Sequence, residues 1–218
     1  MTTTDPGQGA ARSTRALTAA GRWITGHRRI STALVVAVVV ALAALADWPH
    51  RATSGQLRAD LESYVSQVRD DVLSCGTEVE DSLSAYNQIL AGASTKRSVA
   101  EGIMSNAAVD CTPSGNAMIL DLAALQPPRS LAKFDLDVGA RELYAWASAD
   151  GVDAVQDLHS LMVTPGDPVI LGKVRALLAD MQQRAGASQA IFDRAAKAVG
   201  ATAIPLGLDE VQPGVLVG

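Results

Sequence analysis

The sequence predicts an all-α protein: an N-terminal transmembrane helix followed by an antiparallel helical bundle with two long helices. Three observations carry this prediction. Ile30 to Ala46 (ISTALVVAVVVALAALA) has no charge and no proline. As a helix this run rises roughly 26 Å, close to the roughly 30 Å hydrocarbon core of a bilayer. Two later stretches repeat apolar residues every eleven positions, a spacing of about 3.67 residues per turn that holds one stripe along a nearly straight helix. Finally, aromatic residues make up only 4% of the chain while Ala, Leu and Val are abundant. That composition suits helices in close contact and argues against a β-sandwich.

The chain divides into a basic tail (1–29), a transmembrane signal-anchor helix (30–48), a helical bundle (54–200) and an apolar tail containing Pro and Gly (201–218). About 170 residues follow the apolar run, enough for one domain with its own core. Residues 1–29 carry five Arg and one Asp, whereas residues 47–218 carry a net charge of -9. The positive-inside rule then places the N-terminus in the cytoplasm and the C-terminal domain outside a plasma membrane. Trp23 and Trp48 flank the run where indole rings favour the headgroup level. The basic flank itself, with Leu17, Trp23 and Ile24 among its arginines, reads mainly as the element that orients the span. An acidic domain repels phosphates, so no nucleic-acid partner is expected. Arg outnumbers Lys 14 to 4, which suggests the GC-rich codons of a bacterium.

The N-terminus has an alternative reading. Arg28-Arg29 before the run and Ala44-Leu45-Ala46 at its end have the parts of an export signal, whose cleavage before Asp47 would give a secreted protein. The run exceeds the usual length of a signal-peptide core, and Ala-x-Ala is common by chance in so Ala-rich a chain. An uncleaved anchor is therefore the reading adopted, with the lipid bilayer as partner through Ile30 to Ala46.

After Trp48-Pro49-His50 breaks the helix, Ser54 is placed to cap the next one. Leu57, Val68, Val79 and Leu90 are spaced by eleven, as are Leu61, Val72 and Leu83, and Tyr64, Cys75 and Tyr86. This predicts one helix from about Ser54 to Ala91, ended by Gly92. The same stripe could support a homodimer through the helix at 54–91. Ser98 and Glu101 have capping-box spacing and predict a second helix from Ser98 to about Val109. Thr112 to Asn116 reads as a loop and Ala117 to Leu125 as a short helix, with Met118, Leu122 and Leu125 on one side. Leu131 to Leu136 reads as a connector in which Leu131 and Phe134 plug the core. A helix is predicted from about Asp137 to Met162, kinked or split at Asp150-Gly151. Asp167-Pro168 is a strong start signal for the last helix, which Gly200 ends. Ile170, Met181 and Phe192, and Val174, Ala185 and Ala196, repeat the eleven-residue spacing. The two long helices are expected to lie along most of each other's length. The tail from Ala201 is too apolar to float free and is expected to lie back over the bundle, with an extended strand offered to a partner as the alternative.

Cys75 and Cys111 are the two cysteines, and outside the cytoplasm they are expected to form a disulfide. If the first two predicted helices fold into a hairpin, Cys111 arrives near the level of Cys75.

Catalytic ingredients are scarce. Of three histidines, only His159 falls within the bundle, too few for the usual zinc sets. There is no nucleophile elbow and no Gly-rich phosphate loop. Asp150, Asp153 and Asp157, and likewise Asp70-Asp71 and Glu78 to Asp81, read as solvated acidic faces. No enzyme activity, cofactor or metal is expected. The sequence suggests a membrane-anchored extracytoplasmic binding or scaffolding module of a bacterial cell envelope, acting on an envelope protein or wall component. The alternative is a small-ligand sensor or carrier, for which Tyr64, Tyr86, Trp146 and Phe192 are the candidate pocket lining. A hydrolase would need His159 buried beside a serine and a carboxylate.

Overall fold

A computed structural model describes residues 52–92, 96–209, 211 and 213–216. The predicted basic tail, the transmembrane helix and the cleavage point before Asp47 lie outside the described residues. None of the described helices is long and apolar enough to cross a membrane. The described residues form six α-helices and contain no strand.

Helix α1 spans Ser54–Leu90 without a break. Its cap is Thr53, one residue before the expected Ser54: the Thr53 hydroxyl accepts from the Gln56 N–H, and the Gln56 side chain accepts from the Thr53 N–H. Only Thr53 has a Gln at the third position after it, which is what a capping box requires. Gly92, at φ 71°, follows the helix end as expected. The eleven-residue stripe is covered within the chain: Leu61, Tyr64, Val68, Val72, Cys75, Val79, Leu83 and Tyr86 are all buried. A homodimer through this helix would therefore have to use its other faces.

Helix α2, Arg97–Asp110, folds back along α1. It starts at Lys96, which makes no side-chain cap, so the expected Ser98–Glu101 capping box is not used. Helix α3, Ala117–Ala124, is capped by the Asn116 side chain, which accepts from the Met118 N–H. It buries Ile119 and Leu122 and leaves Met118 exposed, a rotation away from the expected face. A short 3-10 helix, Arg129–Phe134, places Leu131 in the core.

The helix expected over 137–162 is three elements. Helix α4, Leu136–Ala145, passes through one π-helical turn, Trp146–Gly151, into α5, Val152–Val163. The predicted break at Asp150-Gly151 is thus a π-bulge that starts four residues earlier, at Trp146. Helix α6, Pro168–Val199, begins under the Asp167 carboxylate, which accepts from the N–H groups of Val169 and Ile170. It ends at Gly200, left-handed at φ 69°, where the Ala201 N–H donates back to the Ala196 carbonyl at 2.9 Å.

The long helices run antiparallel. Arg58 of α1 donates to the Val199 carbonyl at the end of α6, and Tyr86 near the other end of α1 faces Gly166 just before α6. They do not share most of their lengths, however. Helix α1 packs mainly on α2 and α3, while α6 packs mainly on α4, the π turn and α5. The tail lies along the bundle, as expected. Leu206, Leu208, Val211 and Leu216 are buried. The Gln189 side chain of α6 holds the tail backbone like a neighbouring strand, donating to the Ile204 carbonyl and accepting from the Leu206 N–H. Asn87 of α1 donates to the Val215 carbonyl at 2.7 Å.

Candidate functional site

At the centre of α1 stands the predicted disulfide. Cys75 and Cys111 are bonded, with Cα atoms 4.8 Å apart. For a loop of 36 residues the chain-entropy model gives roughly 3–4 kcal/mol of stabilisation. The Cys75 sulfur lies 4.0 Å from the Ala147 carbonyl of the π turn. A Cβ on Gly151 would stand 3.2 Å from the same sulfur, so glycine lets the π turn close on the bridge. One residue along α1, Gly76 admits Leu208 of the tail and the Trp146 ring, both within 4 Å of where a Cβ would be. Bridge, π turn and tail thus meet at one level of the bundle.

The four aromatic residues proposed as pocket lining are distributed along the bundle. All four are buried. Trp146 packs at the Gly76 level, whereas Phe192 packs on Gly139 of α4. Tyr64 donates to the Leu136 carbonyl at 3.3 Å. Burial, reinforced by Asp137, pushes its phenol up to about 12. The Tyr86 hydroxyl has no hydrogen-bond partner among the described residues. Burial raises its pKa, partly offset by the backbone of Gly166 and by Arg175. A cavity of about 10 Å³ lies beside Phe192, lined also by Leu61, Val65 and Ile204. Larger clefts are superficial: one of about 480 Å³ between α6 and the tail, reaching Gln182, Asp193 and Leu208, and one of about 550 Å³ at the end of α1 beside Val215.

His159 is exposed on α5, so it is not the centre of a buried Ser–His–carboxylate arrangement. The Asp150, Asp153 and Asp157 face is divided, because Arg184 of α6 donates to Asp150 at 2.7 Å and to Glu142 at 2.6 Å. These hydrogen bonds raise the Arg184 pKa and tie α4 and the π turn to α6.

Sequence reasoning missed Asp71. It is only 6% exposed, and its Oδ2 is buried with no hydrogen-bond partner among the described residues. Buried polar groups are nearly always paired, so an orphan carboxylate calls for an explanation. Burial first, then the charges of Asp121 on α3 and of Asp70, push its pKa up to about 6. Asp70 is itself held by Arg69 at 2.9 Å. Two turns along α1, Glu78 is half-buried and also raised, by burial and then by Asp110 of α2 and Asp81. Between these acidic pairs the loop over 111–116 crosses α1, fixed where Asn116 donates to the Ser74 hydroxyl at 2.9 Å. Val109 (54% exposed) and Met118 (38%) flank this loop. The sequence did contain a signal: Asp71 stands between Val68, Val72 and Cys75, inside the apolar stripe.

No known protein family matches the chain, and comparison with curated proteins and with solved structures finds no match either.

Proposed function

We propose that this protein is a non-catalytic binding or scaffolding module, held by Ile30 to Ala46 in a bacterial plasma membrane with its helical bundle outside. The single observation that carries the reading is the acidic corner on α1. A buried carboxylate oxygen without a partner, Asp71 Oδ2, lowers the stability of the free protein, and such a group calls for an explanation. The disulfide supports an oxidising compartment, and the charge difference between residues 1–29 and 47–218 supports the orientation. The partner envisaged is an envelope protein or wall component.

Two experiments test this. Intact mass of the native protein, alkylated without reduction, should show the full-length chain with no alkylated cysteine. A mass beginning at Asp47 would instead mean secretion, and two alkylated cysteines would contradict the bundle facing outside. Photo-crosslinking residues placed one per helix in the full-length protein in cells should give a discrete adduct on at least one face. Adducts on none would contradict a binding role. The cleft of about 480 Å³ between α6 and the tail favours a small-ligand carrier as the second reading. A thermal-shift screen of metabolites and lipids without a stabilising hit would remove it.

A further inference from the structure

The charge of the bundle is unevenly spread. Residues 47–218 carry a net charge of -9, yet exposed cations gather at the end where α1 begins and α6 stops. Arg58 of α1 donates to the Val199 carbonyl, which brings it to the last turns of α6, where Arg194 and Lys197 stand. The 3-10 helix that carries Arg129 and Lys133 is joined to the same end by Ser130, which donates to Asp60 of α1 at 2.6 Å. These five cations are exposed, and none is in an ion pair among the described residues. Of the carboxylates at this end, Asp60 is engaged by Ser130, Asp137 by Arg141 and Asp193 by Gln189, which leaves Glu62 and Asp135. In the middle of the bundle Arg69 and Arg184 are both ion-paired. Lys96, Arg97, Lys173 and Arg175 stand at the opposite end, where α1 stops and α6 begins.

The chain itself chooses between the two ends. Seven residues separate Ala46, the last of the apolar run, from Ser54, the first of α1, and fully extended they span at most roughly 25 Å. The opposite end lies 37 residues along α1, a rise of about 55 Å. We infer that the end formed by the start of α1, the 3-10 helix and the end of α6 docks on an anionic lipid headgroup surface through Arg58, Arg129, Lys133, Arg194 and Lys197. Long Arg and Lys side chains reach outward from the helix surface to such headgroups. The hydrogen bond of Arg58 goes to a carbonyl and leaves its charge unneutralised. The same surface repels the acidic middle of the bundle, so attraction at one end and repulsion along the body favour one orientation. This inference rests on the reading of the chain as membrane-anchored and names the lipid chemistry that the bundle meets.

The test uses the full-length chain in vesicles of phosphatidylcholine alone or of phosphatidylcholine and phosphatidylglycerol in equal parts. A nitroxide headgroup lipid in both leaflets serves as quencher. A fluorophore is attached at Ala132→Cys on the 3-10 helix, or at Gly172→Cys near the start of α6, where a side chain meets open space. The native cysteines are bridged, so only the new thiol is labelled. At low salt, quenching at position 132 should be several-fold stronger with phosphatidylglycerol than without, and salt should reverse the gain. Quenching at position 172 should be the same in both vesicles. Arg129→Gln with Lys133→Gln, and Arg194→Gln with Lys197→Gln, should each remove about half of the gain. Lys96→Gln with Lys173→Gln removes as much charge from the opposite end and should leave it unchanged. Equal quenching at position 132 in the two vesicles would overturn the proposal, and so would an equal loss from the variant at the opposite end. Flotation of the vesicles in alkaline carbonate separates this failure from that of the anchor. A chain that stays embedded but shows no lipid-dependent quenching removes the docking alone. A chain released by carbonate removes the anchored reading and the docking with it.

Discussion

Cys75 and Asp71 stand one turn apart on the same helix, and the fold treats them in opposite ways. Around Cys75 every requirement is met. The bridge to Cys111 fills its level, Gly76 and Gly151 let Leu208, Trp146 and the π turn close on it, and nothing polar is stranded. Around Asp71 the fold buries one carboxylate oxygen, Oδ2, without a partner and sets the charge of Asp121 against it. The first site behaves as a core optimised for stability. The second is a cost in stability carried by the same helix.

The contrast can be broken from either side. The largest effect expected is at the bridge level itself: Trp146→Ala should lower stability by about 3–5 kcal/mol, measured by denaturant unfolding of the full-length protein in detergent. Replacing both cysteines, Cys75→Ala with Cys111→Ala, should cost about 3–4 kcal/mol, and reductant should reproduce most of that loss in the wild type. At the other site the sign reverses. Burial, with the charges of Asp121 and Asp70, pushes the folded Asp71 carboxyl up to about 6 from an ordinary value of 3.8. The folded state therefore holds its proton more tightly, so stability is fully present below about pH 4 and is lost as pH rises through 6. Asp71→Asn should raise stability at pH 7.5 by up to about 3 kcal/mol and leave it nearly unchanged at pH 4. A destabilised variant at pH 7.5 would mean that the carboxylate has a partner. The smallest effect concerns the tail. Gln189→Ala removes the two backbone contacts at Ile204 and Leu206, and should cost about 1–2 kcal/mol. This would be seen as faster amide exchange over 204–208 with little change in α1.

Much of the bundle was legible because its signals are local. The stripe through Leu61, Val72 and Leu83, the Asp167-Pro168 start, the Gly92 and Gly200 ends and the cysteine pairing all follow from periodicity and capping rules. One failure was local and the rest were tertiary. Thr53 outcompeted Ser54 because Gln56 completes its box. The π turn at Trp146 depends on a sulfur and a glycine brought together from distant segments. The four aromatic residues are all buried, and nothing in their spacing says which neighbours each one meets. Asp71 was read with its neighbours as a solvated face, although its place between Val68 and Cys75 marks it as an acid within the apolar stripe. Only the docking of α3 shows that the stripe is closed over it.

Asp71 carries a buried carboxylate oxygen without a partner, and its titration is the most direct test. Its carboxyl carbon can be titrated directly by carbon-13 NMR in the full-length chain, with Asp71→Asn used to assign the signal. A midpoint near pH 6 is the result this account predicts. A midpoint at or below the ordinary aspartate value near 4 would show that the group is already paired or solvated and would contradict it.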